Sequence, residues 1–427
     1  MKKLILFAIL LFSINSVVAQ TYNDNFTPAR LRINLVFAGN AAEQLVYLES
    51  MNFEPEWGGS QSHLIDNFDY GEYYCKLFSK DSTLLFSHGF CTLFYEWRFT
   101  DEAKQTARAF NVSLITPFPK SKVRLEVYDR NKQTGGWNIL FKTEINPDDK
   151  QIQRDRPNNY TVNRLLYNGK SSEKVDVVFI AEGYTKDEMQ KFRQDAERMA
   201  DALFSEEPFT SRKKDFNIWA LESVSQHSGT DIPDKNIWRN TVANSTFYTF
   251  NIDRYLTVPD HSKISEIAWQ VPYDILYVIV NTDKYGGAGI YNGYTVGSSD
   301  NNSAAAVIVH EFGHSFAGLG DEYAYDEPDA FSDFYGKEAE PWEPNITSLV
   351  DFERKWKNMI DKNTPVPTPA TNEYRNTTGL FEGAGYSPKG MYRPALGCIM
   401  RGLHDHFCPV CQRAVNRMID YYTVDAK

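Results

Sequence analysis

Residues 307–323 read VIVHEFGHSFAGLGDEY. His310, Glu311 and His314 form an H-E-x-x-H in a mainly apolar run. With Asn302 or Ser303 as N-cap, the pattern predicts one long helix through AAAVIVHEFGHSFAGL. Side chains four apart on a helix share a face, so both imidazoles can reach one ion while Glu311 points alongside toward a bound water. Zinc in such a setting brings the pKa of water to about 7, and the glutamate takes its proton as a carbonyl is attacked. A chain with 8 histidines carries this pattern by accident on the order of once in a hundred cases, and the helical setting lowers that chance further.

Upstream of the helix, the residues 175–180 stretch VDVVFI reads as a buried strand, and Thr185 with Glu188 forms a capping box that opens a helix to about Phe204. FNIWALESV and DILYVIV are further strand candidates. The glycine-rich KYGGAGIYNGYTVGSSD lacks the G-K-[ST] ending of a phosphate loop. It is expected to be an edge strand where a peptide lies by β-augmentation, glycine allowing close backbone approach. Together these predict an α/β region. Residues 325–397 are loop-rich apart from a short helix expected around LVDFERKWKNMI, and CPVCQRAVNRMIDYY reads as a closing helix with Pro409 in its first turn.

The first third of the chain follows another period. LRINLVF places Leu31, Ile33, Leu35 and Phe37 on one face, and similar aromatic-rich runs recur as YYCKLF, TLLFSHGFCTLFYEWRF, VRLEVYD and WNILFKTEI. An antiparallel β-sandwich over residues 20–148 is expected, uninterrupted by helix. A polar, proline-broken stretch around Pro147 and Pro157 separates it from a second domain at 160–427. The fold class is therefore α+β, and 427 residues exceed what one core usually supports.

At the N-terminus Lys2 and Lys3 precede LILFAILLFSI and the small-residue site VVA, the pattern of a signal peptide over residues 1–19. Export to the periplasm or the exterior is expected, with no transmembrane segment after its removal. A net charge of −11, from 56 acidic and 45 basic residues, gives no basic footprint for nucleic acid or anionic lipid. Five cysteines are too few for a disulfide scaffold; a Cys75–Cys91 pair across neighbouring strands is allowed, not required. Cys408 and Cys411, with Cys398, His404 and His406 nearby, suggest a structural zinc site, but a disulfide or packed thiols are the plainer readings. The expected metal count stays at one.

Downstream, GCIMRG puts Met400 in a tight turn between Gly397 and Gly402, which resembles the Met-turn beneath the metal of metzincin peptidases. HEFGHSFAGLGDEY, FEGAGY, YRP and CIMR, in that order, resemble the bacterial IgA-peptidase family of zinc metallopeptidases, from Val175 to about Tyr422. The resemblance implies a metzincin-like catalytic domain behind an N-terminal β-domain. It further implies a secreted zinc endopeptidase acting on extracellular proteins, immunoglobulin-like substrates among them, although family membership fixes chemistry better than it fixes the pocket. The alternative is a surface protein that binds glycan or host protein on an idle zinc fold, and an intact Glu311 counts against it.

In the metzincin pattern H-E-x-x-H-x-x-G-x-x-H, or with Asp last, glycine breaks the helix and the third ligand swings back. The matching positions here hold Ala317 and Gly320, which cannot serve. One added residue restores the pattern as H-E-x-x-H-x-x-x-G-x-x-D, with Gly318 and Asp321. His310, His314 and Asp321 are thus the expected ligands of one catalytic zinc ion, with Glu311 as general base. Glu322 ranks second, as a partner for a histidine N–H, and Glu353 third. Tyr323, Tyr392, Arg393 and His404 remain open as oxyanion stabilisers.

Overall fold

The computed structural model describes residues 21–154, 158–325, 334–336 and 338–423; the expected signal peptide and Pro157 lie outside them. A short helix α1 (Tyr22–Asn25) leads into β1 (Phe26–Gly39), which pairs antiparallel with β2 (Gln44–Glu54). The predicted inward face of β1 holds, since Leu31, Ile33, Leu35 and Phe37 are all fully buried. β3 (Tyr73–Phe78) pairs with β4 (Leu84–Phe90), and a helix follows where strand was expected, α2 (Leu93–Trp97). Thr92 is the reason: its hydroxyl accepts from the Tyr95 N–H at 3.1 Å and caps that turn. β5 (Arg108–Pro119) returns to β1, while β6 (Val123–Arg130) and β7 (Trp137–Ile145) extend the β3–β4 sheet. Phe37 of one sheet meets Tyr73 of the other with ring centroids 4.9 Å apart, so the two antiparallel sheets face each other across a shared core.

A second layered unit begins at β8 (Thr161–Leu166), followed by β9 (Val175–Glu182). The Thr185–Glu188 capping box forms, the Thr185 N–H donating to Glu188 at 2.8 Å, and α3 (Met189–Phe204) runs from it. Then come α4 (Phe209–Arg212), β10 (Phe216–Glu222), α5 (His261–Ile267), β11 (Ile275–Val280), β12 (Gly287–Ile290), β13 (Tyr294–Ser298) and α6 (Ala304–Ala317). The hairpin β14 (Phe381–Ala384) and β15 (Ser387–Arg393) and the helix α7 (Pro409–Thr423) complete the chain. Around LVDFERKWKNMI the expected helix is instead two separate 3₁₀ turns, Phe352–Arg354 and Lys357–Met359.

The six-stranded sheet has the order β12-β13-β11-β9-β10-β8, parallel from β13 to β10 and antiparallel at both edges. Alternate residues of β9 enter different cores. Val177, Phe179 and Ala181 pack with α3, α6 and α7, whereas Val178 and Ile180 join the cluster continuous with the N-terminal sheets. Burial on both faces explains why β9 and β11 read as apolar runs without alternation. Arg30, fully buried, fastens the two layers: it pairs with Glu54 at 2.6 Å, donates to the Val271 and Trp269 carbonyls at 2.9 and 3.1 Å, and stacks on Tyr273. Removing one partner of such a buried pair costs about 3–5 kcal/mol.

β12 is an edge strand, as expected, but its glycines serve a different neighbour from the one expected. A Cβ at Gly289 would sit 2.2 Å from the Glu311 carbonyl oxygen and 2.8 Å from the His314 Cβ. Glycine here lets the strand lie against α6.

Candidate metal centre

Two local causes aim the H-E-x-x-H residues. α6 places His310 and His314 one turn apart on one face. Ser303 occupies the N-cap position, without a side-chain capping bond. At the other end Gly318 adopts φ +62°, a left-handed conformation that glycine reaches without strain, and the helix stops. The reversed chain brings Asp321 back over the histidines. Its Oδ1 lies 3.3 Å from the Nε2 of His310 and 3.3 Å from that of His314, while the two Nε2 atoms are 3.1 Å apart.

The other ring nitrogens are already committed. Nδ1 of His310 faces the Ile399 carbonyl at 2.9 Å, and Nδ1 of His314 faces the Leu319 carbonyl at 2.5 Å. A carbonyl only accepts, so each Nδ1 carries the proton and each Nε2 presents a lone pair to the shared point. Asp321 Oδ2 accepts from the Tyr386 hydroxyl at 2.7 Å, and its Oδ1, buried, has no hydrogen-bond partner. Burial opposes charge on Asp321, yet the two imidazoles outweigh it and hold the carboxyl well below the usual range. Burial likewise works against protonated His314, but Asp321, Glu311 and the Leu319 carbonyl carry it up to about 9, so a proton competes with a cation for the Nε2 lone pair. Glu311 is raised, chiefly by burial, with the histidines pulling the other way.

Glu322 does not hold a histidine N–H, because backbone carbonyls occupy both, and its side chain turns toward Cys411 instead. Glu353 is exposed and pairs with Lys357, away from the centre. Of the four oxyanion candidates only Tyr323 lines the cleft; Arg393 donates inward to the Glu382 and Gly383 carbonyls, and His404 is exposed. Sequence reasoning missed Tyr386, although FEGAGY ends on it. It also missed Asn345, which brackets Gly320 by accepting from its N–H at 2.7 Å and donating to its carbonyl at 2.8 Å, fixing the loop that carries Asp321. Neither had a spacing signal.

Met400 is fully buried, and its sulfur lies 3.0 Å from where a Cβ at Gly313 would stand, so glycine inside the motif admits the turn beneath α6. The same turn supplies the Ile399 carbonyl to His310, and its Met400 carbonyl accepts from the Glu322 N–H at 2.8 Å. Met400→Leu nearly conserves volume, so the variant should fold, keep its metal and lose less than about 1.5 kcal/mol in a denaturation series. Collapse of its metal content would mean that the sulfur does more than pack.

The cleft over this centre has a volume of about 800 Å³ and is walled by Arg254, Tyr285, Tyr323, Tyr325 and Tyr386 together with Glu72 and Cys91, which flank β3 and β4, and Glu96 of α2. Glu96 accepts from the Tyr255 hydroxyl, and burial pushes it up to about 8. A family model described as IgA Peptidase M64 matches residues 164–378 and 370–419, and one described as Peptidase M64 N-terminus matches 21–140. The chain belongs to the IgA peptidase M64 family. No curated protein matches it. The peptidase thus acts on a protein or peptide, and its metal-ligand type cluster of His310, His314 and Asp321 lies in the cleft. Among the described residues of this peptidase, no helix is long and apolar enough to cross a membrane.

Proposed function

We propose that the chain is an exported, zinc-dependent endopeptidase in which His310, His314 and Asp321 hold one ion and Glu311 is the general base. The observation that carries this is the buried, unpartnered Oδ1 of Asp321 facing two imidazole lone pairs. Three electron-rich atoms so placed repel one another unless a cation lies among them. Nitrogen and oxygen ligands about 2.0–2.2 Å from a tetrahedral zinc lie about 3.3–3.6 Å from one another. The two separations of 3.3 Å to Asp321 meet the lower end of that range, and the 3.1 Å between the imidazole nitrogens falls about 0.2 Å short of it.

When bound, zinc supplies Lewis acidity to a water and to the scissile carbonyl. Glu311, half-buried at the cleft floor beside β12, accepts the proton of the attacking water and returns it to the leaving amine. Tyr386 fixes the orientation of Asp321. Substrate is inferred to lie along β12, and the tyrosines and Arg254 of the cleft would set side-chain preference.

A largely parallel sheet, a helix ending in glycine at its ligand pair and a methionine turn beneath support a metzincin-like reading of residues 160–427. The sandwich of residues 20–148 walls one side of the cleft, so it restricts as well as presents substrate. Export follows from the leader at residues 1–19, and extracellular proteins, immunoglobulin-like ones included, are the inferred substrate class. Hydrolysis of casein by the purified protein should be abolished by a chelator and restored by zinc. Absence of chelator-sensitive cleavage across a broad protein panel would instead favour a binding role.

A further inference from the structure

Beneath the centre just described, Glu322, Cys398, Cys408 and Cys411 converge. None is more than 4 % exposed. Their ligand-type atoms all lie within 4.8 Å of one another. The Sγ atoms of Cys398 and Cys411 are 3.7 Å apart, and Glu322 Oε1 is 3.2 Å from Cys411 Sγ and 4.0 Å from Cys408 Sγ. His404 and His406, the sequence neighbours, are not part of the group; His406 pairs with Glu206 at the surface.

We propose that these four residues form a second, structural zinc site of composition Cys₃Glu. Sulfurs about 2.3 Å from a tetrahedral zinc lie about 3.8 Å apart, and sulfur and carboxylate oxygen about 3.5 Å apart. The observed sulfur–sulfur separation of 3.7 Å lies close to the first value, and the sulfur–oxygen separations of 3.2 and 4.0 Å bracket the second. A disulfide needs its sulfurs about 2.05 Å apart and would leave the third thiol over, and all three thiols are free. Packed neutral thiols would not account for the buried carboxylate among them, whose Oε2 has no hydrogen-bond partner. A buried carboxylate is costly unless a cation or donors meet it.

Three thiolates and one carboxylate hold the ion, with any proton on these groups released on binding, so the zinc and its four ligands carry a formal charge of −2. The surroundings moderate it. Asn345 donates to Glu322 Oε1 at 3.0 Å, the Cys408 N–H points to Cys398 Sγ at 3.4 Å, and the positive end of α7 begins at Pro409, between two of the cysteines. The site would staple three segments: the loop after α6, the methionine turn and the first turn of α7. Glu322 adjoins Asp321, and Cys398 adjoins Ile399, whose carbonyl orients His310. The second ion therefore holds the residues that aim the first.

The test is zinc stoichiometry with X-ray absorption on the full chain, wild type and the His310→Ala/His314→Ala variant. The expected result is two zinc ions per wild-type chain and one in the variant, the latter in a shell of three sulfurs at about 2.3 Å and one oxygen. Adding Cys411→Ser to that variant should remove the remaining ion. A wild-type zinc shell without sulfur, or a disulfide among Cys398, Cys408 and Cys411 found by mass spectrometry of the denatured wild type, would overturn the proposal. Neither measurement depends on the variants folding. A wild-type chain holding a single ion, in a shell of three sulfurs and one oxygen without nitrogen, would sink the catalytic-zinc reading and leave this one standing.

Discussion

Glu311→Gln should bind zinc as the wild type does and lose about 10²- to 10⁴-fold in kcat, the usual contribution of a positioned general base. The exchange keeps size and shape, so β12 and α6 keep their contact, and a carboxamide cannot take the proton of the attacking water. Burial raises the Glu311 carboxyl while the two histidines lower it. Burial prevails, so the folded pKa lies above that of a free glutamate, and the base form is present above it and lost as pH falls through it. The wild-type profile of kcat/KM should therefore show an acid limb that the residual activity of the variant lacks. Activity within a few-fold of wild type, or an unchanged acid limb, would assign the proton transfer to another group.

How much of this was legible in the sequence depended on whether a local period or spacing carried the signal. The H-E-x-x-H helix, the capping box at Thr185 and the buried face of β1 rest on residues close in sequence, and all three appear where expected. The helix at Leu93–Trp97 was hidden because its apolar residues continue the run of β4, and only Thr92 marks the change. Tyr386 reaches Asp321 across 65 positions, and Ile399 reaches His310 across 89. Such contacts follow from how the hairpin pairs with the loop after α6 and how the methionine turn packs under α6, which no window of sequence contains. The place of Glu322 was misjudged for a related reason. Adjacency to Asp321 suggested a role at the same ion, but consecutive residues in an extended loop point to opposite sides, and its side chain goes down to the cysteines.

That opposition makes Asp321→Ala the sharper test of the opening motif. The substitution removes the carboxylate oxygen that faces both histidines and an acceptor of the Tyr386 hydroxyl. Zinc affinity at the histidine site should fall by more than the 10- to 100-fold that loss of an outer partner typically costs, and hydrolysis should fall with it. Metal held by sulfur should stay, so X-ray absorption would lose its nitrogen component and keep that at about 2.3 Å. Glu322→Gln should give the opposite pattern, weakening the sulfur-bound ion first. If Asp321→Ala kept the nitrogen component while Glu322→Gln lost it, the third ligand would be the residue after Asp321. The one-residue insertion after His314 would then be miscounted, despite the 3.3 Å approach of Oδ1 to both rings.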